Sequence, residues 1–331
     1  MHPSTIGERA PGSLKPSPRP HPVPYIASVD GCESPTFDGV RPLDKGRSLS
    51  IQCWGTRGSL PSPGPSTVRY GGNTSCVEIQ AGDCRIILDA GTGIRALGEK
   101  LKSETDTRRA TIFLSHFHWD HINGFPFFVP AYHPDFELRI VAPAQEGVDV
   151  ESLLRGQMGP MYFPIPYDAL SANISFQHLN EGSWEHDGVR MQSMRVRHTS
   201  FTVGYRVDAF GRSVVFIPDN ELIGGSYPTP SGWMDSLLDF VSGADLLLHD
   251  AMYTTEEYPA REGWGHSTFS QALDLAERAQ VKALHFFHHA PGRSDEELDR
   301  IVEHFRKEVG DKGLDLDVQA AAEGSSLTIG P

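Results

Sequence analysis

The sequence has few cysteines, no long apolar run and no excess of basic residues, and each shortage excludes a class of protein. Its four cysteines, Cys32, Cys53, Cys76 and Cys84, form no CxxC pair, so a disulfide scaffold is excluded and small buried thiols are expected. No segment approaches the ~20 apolar residues of a membrane span, so we expect no membrane partner. The first 25 residues lack the apolar core of a secretory signal, and we therefore expect a cytoplasmic location.

The charge balance is acidic, with 29 Lys and Arg against 43 Asp and Glu and a net charge of −14 over 331 residues. A protein whose main work is to hold a nucleic-acid backbone needs a basic face. Nucleic acid is therefore the less favoured partner, although a local basic patch stays open. The 15 histidines against four cysteines indicate that any metal site would be built from imidazole and carboxylate.

Two regions of the chain differ in character. Residues 1–47 are rich in Pro, Ser, Gly and charge, which predicts a flexible Pro-rich N-terminal tail. Residues 48–331 alternate β-type runs with helical patterns and form the predicted folded domain. The predicted strands are 50–54, 75–80, 85–89, 111–115, 204–207, 213–217, 245–249 and 283–287. The predicted helices are 234–241, 268–279 and 295–308. Strands in both halves, with helices able to cover them, predict an α/β fold of two sheets packed face to face between helical layers.

Four side chains of metal-ligand type lie within six positions, directly after the apolar run ATIFLS. They are His116, His118, Asp120 and His121. Two histidines spaced by one residue can point the same way from an extended segment, and an Asp-His pair on a tight turn can serve a second ion. A solvated turn would explain a single histidine, but four such groups are poor fillers of a sheet edge unless something satisfies them. The pattern therefore predicts a metal site.

This H-x-H-x-D-H segment resembles the signature of the metallo-β-lactamase superfamily. Later segments match the family in the expected order: His198 in VRHTSF, Asp219 in VVFIPDNE and His288 in HFFHH. The resemblance covers residues 48–331 and implies the αββα sandwich, with two mixed β-sheets flanked by helices. It also matches Asp89, in LDAGTG, to an acid that orients the metal-binding loop by hydrogen bonds.

The resemblance implies a centre of two divalent ions. The ligands of the first ion would be His116, His118 and His198. The ligands of the second would be Asp120, His121 and His288, and Asp219 would bridge the two. His289, next to His288, stays open as the last ligand. Zinc is the leading metal because imidazole dominates the set, and the carboxylates leave manganese or iron open.

The segment Gly-His-Ser-Thr around His266 resembles a motif of the tRNase Z and cyclic-nucleotide phosphodiesterase branches. There His266 would bind or protonate a phosphate oxygen, and Asp250, in HDA, would orient it. Asp120 joins these two in the expected catalytic set. A surface histidine and an ordinary acidic strand end stay open as alternatives. A glycine-rich loop resembles the substrate loop of those branches. Its residues are Gly55, Thr56, Arg57, Gly58 and Ser59.

The expected function is hydrolysis of a small phosphodiester, with a cyclic nucleotide foremost, by a hydroxide that the two metals activate. Three alternatives stay open: a tRNase Z-like RNA 3′-processing endonuclease, a lactone or thioester hydrolase with the same metals, and a binding module without catalysis. Residues 156–168 are apolar, aromatic and Pro-rich. They could stack a base beside the metals, close a homodimer or simply pack.

Overall fold

A computed structural model describes residues 48–104, 108–144, 147 and 149–330. The predicted tail, residues 1–47, lies outside the described residues, and so does Cys32. The strands are β1 (Leu49–Gly55), β2 (Cys76–Ala81), β3 (Cys84–Leu88), β4 (Arg109–Phe113), β5 (Glu137–Pro143), β6 (Asn173–Leu179), β7 (Gly182–His186), β8 (Val189–Val196), β9 (Thr202–Ala209), β10 (Arg212–Ile217), β11 (Leu246–Asp250), β12 (Ala283–Phe287), β13 (Asp317–Ala320) and β14 (Ser326–Ile329). The helices are α1 (Ile94–Ser103), α2 (Trp119–Ile122), α3 (Val150–Gln157), α4 (Trp233–Val241), α5 (Phe269–Arg278) and α6 (Asp295–Lys312).

The strands form two seven-stranded sheets with matching designs. The first has the order β14-β1-β2-β3-β4-β5-β6 and the second β13-β12-β11-β10-β9-β8-β7. Each sheet has three antiparallel pairings on one side of its strand order and three parallel pairings on the other. Strands β1, β3 and β4 therefore run in one direction in the first sheet, and β8, β10, β11 and β12 do so in the second. Their carboxyl ends supply the loops that build the site.

Three apolar layers hold the sandwich together. The middle layer joins the inner faces of the two sheets, with Ile51 and Ile79 from one sheet and Val207 and Phe216 from the other, all at most 2% exposed. The outer layers pack α1 and α3 against the first sheet and α4, α5 and α6 against the second. Two mixed sheets between helical layers confirm the predicted α/β sandwich.

Helices α5 and α6 begin where their capping residues predict. Thr268 accepts the backbone N–H of Gln271, whose side chain bonds back to the Thr268 N–H, and Ser294 with Glu297 does the same. Each of these two helices therefore begins with a capping box. The described cysteines Cys53, Cys76 and Cys84 are buried free thiols, also as expected.

The local prediction was wrong for the Asp120–His121 pair, which lies in the one-turn helix α2 rather than in a tight turn. His118 is extended, and its carbonyl accepts the N–H of His121 at 3.0 Å, so the chain coils as soon as the extended His-x-His segment ends. Six described strands had no prediction. Among them, β6 is an edge strand with mostly exposed or half-buried side chains, so its sequence gives no apolar contrast.

Candidate metal centre

The candidate ligands all lie at the carboxyl ends of the parallel-running strands. Four follow β4, one follows β8, one follows β10 and one follows β12; they are His116, His118, Asp120, His121, His198, Asp219 and His288. Each except His118 is at most 7% exposed. Burying so many imidazole and carboxylate groups together is unfavourable unless they are paired or bind a cation. The structure thus brings together the residues that the sequence predicted as ligands.

One group of donors contains three histidines and one carboxylate oxygen. His198 Nε2 lies 3.4 Å from Asp219 Oδ2 and 3.0 Å from His118 Nδ1. His116 Nε2 lies 3.7 Å from the same Asp219 oxygen. The four donor atoms lie within 4.8 Å of one another, a spacing that one ion can span.

A second group surrounds the other oxygen of Asp219. His121 Nε2 lies 3.1 Å from Asp219 Oδ1 and His288 Nε2 lies 3.2 Å from it. Asp120 Oδ2 is 3.2 Å from His121 Nε2 and 3.0 Å from His288 Nε2. Because Oδ1 and Oδ2 of Asp219 face different groups, this carboxylate is placed to bridge two ions.

The unpaired atoms of the cluster fit divalent cations. Among the described residues, His116 Nε2, His121 Nε2 and Asp219 Oδ1 are buried with no hydrogen-bond partner. Burial and neighbouring imidazoles lower the pKa of His116, and burial lowers the pKa of His198 to about 3, so both rings are neutral, as metal ligands must be. Burial opposes ionisation of Asp219, but the surrounding histidines outweigh it and hold its pKa well below the usual value. Neutral His116 and His198 beside the ionised Asp219 are suitable ligands for zinc.

Asp89 orients two of these histidines from beneath the cluster. Its carboxylate accepts hydrogen bonds from His121 Nδ1 at 2.7 Å, from Ser75 Oγ at 2.8 Å and from the Ser115 backbone at 2.8 Å. The Ser115 hydroxyl also bonds to Asp89 and lies 3.0 Å from His116 Nδ1. With the Nδ1 atoms engaged, the Nε2 lone pairs of His116 and His121 are directed at the cluster.

Glu221 is a functional residue that the sequence analysis missed. It is fully buried, and its carboxylate accepts hydrogen bonds from the hydroxyls of Tyr227 and Tyr258 and from the N–H groups of Gly263 and Gly265. The Gly265 carbonyl in turn accepts His198 Nδ1–H at 2.8 Å. Glu221 therefore fixes the loop that orients His198 and carries His266. Its position directly after the Asp219-Asn220 pair was the available sequence signal.

His288, rather than His289, faces the cluster. His288 has a left-handed backbone, with φ of 58°, and this conformation turns its ring toward Asp120 and Asp219. The next ring points away, since His289 Nε2 bonds to the Ala321 carbonyl at 2.8 Å. Gly58 lies against the His288 ring, where a Cβ would come within 2.3 Å of Nδ1.

His266 and Asp250 form a hydrogen-bonded pair beside the ligands. His266 Nδ1 lies 2.9 Å from Asp250 Oδ2, and its ring stacks on His288 at 5.0 Å. The Asp250 carboxylate is held by the backbone N–H groups of Asn220 and Met252. Burial lowers the pKa of His266, but Asp250 outweighs this effect and raises it to about 9. Asp250 therefore favours the protonated form of the ring, which is the form that can donate a proton.

The predicted glycine-rich loop lies at the cleft, but only some of its residues face the cleft and the others are buried. Ser59 lines the cleft, and its N–H donates to Asp120 Oδ2 at 2.7 Å. Arg57 is fully buried, and its guanidinium bonds to the carbonyls of Gly71, Ala290 and Arg293. Gly55 packs on the Thr74 backbone, where a Cβ would lie 1.9 Å from the carbonyl oxygen. Thr56 is buried too, so the loop presents Ser59 and backbone to the cleft.

The cleft above the cluster is open and has a volume of about 540 Å³, within the usual range for small-molecule sites. Its lining residues are Ser59, Phe117, His118, Trp119, Asp120, Asp219, His266 and His288. Within the described parts of the chain, this lining includes no Lys or Arg. None of the described helices has the length and apolar character needed to cross a membrane.

Comparison with known proteins gives consistent matches. The family model described as "Beta-lactamase superfamily domain" matches residues 84–289. A ribonuclease Z of Lactococcus lactis is 26% identical over 72% of this chain and 88% of its own length, and one of Oceanobacillus iheyensis is 25% identical over 78% and 95%.

Solved structures share the fold at lower identity. The metallo-β-lactamase fold protein YhfI of Bacillus subtilis has a TM-score of 0.62 and 16% identity, covering 85% of this chain and all of the other. The short form of human tRNase Z has a TM-score of 0.59 and 18% identity over the same shares. Divalent-metal binding goes with this fold, and the His/Asp clusters described above are its counterpart here. The chain belongs to the metallo-β-lactamase superfamily of hydrolases.

Proposed function

We propose that this hydrolase is a phosphodiesterase acting on a small substrate, with cyclic nucleotides the leading candidates. The observation that carries the proposal is the His266–Asp250 pair, held at 2.9 Å beside the ligand cluster. A lactone or thioester hydrolase would need the metals, but it would have less use for a protonated His266 beside them. A phosphodiester has charged oxygens for the cation to stabilise and a leaving oxygen for it to protonate.

The seven ligands would hold two divalent ions, zinc foremost, in the two groups that share Asp219. Such ions, when bound, lower the pKa of water toward ~7 and neutralise charge on the phosphoryl oxygens. Asp120 makes two kinds of contact. Its Oδ2 faces His121 and His288 and also accepts the Ser59 N–H. It thereby ties the mouth of the cleft to the ligand cluster.

His266 would supply the proton for the leaving oxygen. Its Nδ1 is committed to Asp250, so Nε2 is the nitrogen that remains for substrate in the cleft that His266 lines. Asp250 cannot swing away, because the Asn220 and Met252 N–H groups hold its two oxygens. The pair therefore keeps one ring orientation and one protonation state ready for the reaction.

The charge of the cleft favours a substrate with a single phosphodiester. The described lining offers no Lys or Arg to bind further phosphates, and the chain has a net charge of −14. A long polyanion would be repelled without local compensation. The cytoplasmic location and a homodimer remain predictions from the sequence.

A second candidate is an RNA 3′-processing endonuclease of the tRNase Z type. The relatives at 25–26% identity are ribonucleases Z, and this chain covers 88–95% of their length. If that activity applies here, the basic surface for RNA must come from outside the cleft lining. Cleavage of a precursor tRNA without turnover of cyclic nucleotides would decide for it.

The test is one panel of substrates for the metal-loaded full-length protein: a chromogenic phosphodiester, cyclic mono- and dinucleotides, a precursor tRNA and a lactone. We expect turnover of small phosphodiesters, abolished in Asp219→Ala and reduced about 10²- to 10⁴-fold in His266→Ala. His133→Ala is the matched control, since this half-buried histidine bonds to Arg108 instead. Hydrolysis of the lactone alone would refute the proposed function.

A further inference from the structure

Trp119 is unusually exposed for a residue next to a buried ligand cluster. Its side chain is 76% exposed, although it lies between His118 and Asp120 and lines the same cleft. Tryptophan is on average highly buried in folded proteins, because its large apolar surface is costly to leave in water. A tryptophan that faces solvent at the mouth of a reactive cleft therefore indicates a surface that a ligand covers.

The backbone beneath the Trp119 indole is fixed. Trp119 is the first residue of α2, and its carbonyl accepts the Asn123 N–H at 2.7 Å. The next two residues are also held by hydrogen bonds. Asp120 accepts the Ser59 N–H, and His121 bonds to the Asp89 carboxylate. Two side-chain torsions are then all that a ligand must order, so contact with the indole costs little conformational entropy.

The remaining lining decides the chemistry of that ligand. Besides the ligand cluster and His266, the described lining consists of Ser59, Phe117 and Trp119. The anionic group of the substrate is served by the cluster and His266, and the described lining has no Lys or Arg for a second phosphate. The available binding surface is aromatic, and a flat π-system is what it binds best.

We propose that Trp119 is a stacking platform for the base of the substrate. The substrate class is then a phosphodiester that carries a nucleobase, rather than an aliphatic cyclic phosphate or a sugar phosphate without a base. This proposal rests on the proposed function, because it places the base relative to the phosphodiester at the cluster. Stacking tolerates every base, so Trp119 selects for the presence of a base and not for its identity.

The kinetic test compares two substrates that differ in the base. A nucleoside 2′,3′-cyclic monophosphate carries one, and glycerol 1,2-cyclic phosphate does not. We expect Trp119→Ala to raise KM for the nucleotide about tenfold to a hundredfold, leaving KM for the glycerol ester unchanged, and Trp119→Phe to restore most of the affinity. Trp264→Phe is the matched control, being 60% exposed but not part of the described cleft lining. Equal changes for both substrates, or no change for the nucleotide, would overturn the proposal.

A binding measurement separates this proposal from the proposed function. Titration of the metal-loaded protein with adenosine monophosphate should quench tryptophan fluorescence, and the quenching should disappear in Trp119→Phe but persist in Trp264→Phe. Quenching that depends on Trp119, in a protein that hydrolyses no phosphodiester, would refute the proposed function and leave the platform standing. Quenching that survives in Trp119→Phe would refute the platform, whatever the activity.

Discussion

Two glycines in one loop allow the role of His198 to be tested apart from backbone strain. Gly263 and Gly265 have φ angles of 85° and 90°, and Glu221 accepts the N–H of both. An alanine at either position is strained by at least ~1–2 kcal/mol. The surroundings differ, because a Cβ on Gly265 would lie 2.2 Å from His198 Nδ1, whereas one on Gly263 would meet no described atom within 4 Å.

The expected effect of Gly265→Ala follows from this geometry. A Cβ needs a separation of more than 3.0 Å, so the His198 ring must move by about 1 Å. A displacement of that size at a reacting centre reduces activity about 100-fold. The bond from His198 Nδ1 to the Gly265 carbonyl, 2.8 Å long, would be disturbed at the same time. Metal affinity should therefore fall as well, because that bond directs the Nε2 lone pair of His198 at the cluster.

The assay measures three quantities in both variants: the free energy of unfolding in urea, zinc affinity by chelator competition, and kcat/KM for a chromogenic phosphodiester. Both variants should lose stability, Gly265→Ala the more because of its clash with His198, and Gly265→Ala alone should lose metal affinity and about 100-fold in kcat/KM. Equal losses of activity in both variants would refute the reasoning, because strain common to the loop would then explain everything.

Three further predictions concern the groups around the cluster. Asp89→Asn tolerates the left-handed φ of 63° but cannot accept every donor, so zinc affinity should fall 10- to 100-fold. Asp208→Asn, on β9 and bonded to Arg206, is the control, and unchanged affinity in Asp89→Asn contradicts the role. Asp250→Asn removes the anion that raises the pKa of His266 to about 9. Activity that needs the protonated His266 ring is lost as pH rises through its pKa. Bound metal cations disfavour protonation of the ring, so activity should fall at a pH of about 9 or lower. The alkaline limb of the kcat profile should thus move to lower pH in the variant, and an unmoved limb argues against His266 as the acid. Glu221→Gln leaves two of the four donors without an acceptor, and each unsatisfied donor costs about 1–3 kcal/mol. Urea denaturation should therefore show a large loss of stability, together with weaker zinc binding. A variant as stable as the parent would show that the four bonds contribute nothing.

The sequence identified the candidate ligands because metal chemistry restricts residue type. His116, His118, Asp120 and His121 are recognisable by spacing alone, and family order then identified His198 and Asp219 as partners. The structure places these groups around one cluster. It also turns His288 inward and His289 outward, a choice that depends on a left-handed residue and could not be read from two adjacent histidines.

Side-chain direction was the main quantity that the sequence could not supply. Arg57, in the glycine-rich loop, looks like a phosphate ligand by residue type, yet its guanidinium bonds to three backbone carbonyls inside the protein. The sequence analysis made no prediction for Glu221, because its four donors come from a loop some 40 residues away and from Tyr227. Strands such as β6 were not predicted for a related reason. They are strands because they pair with a neighbouring strand, rather than because of an apolar pattern in their own sequence.

The most direct test of the central claim is anomalous X-ray scattering from crystals of the zinc-loaded, full-length protein. We predict two ions about 3.5–4 Å apart, one on each side of the Asp219 carboxylate, with His116, His118 and His198 around one and Asp120, His121 and His288 around the other. A single ion, or two ions that do not share Asp219, would contradict the dinuclear centre on which the proposed function rests.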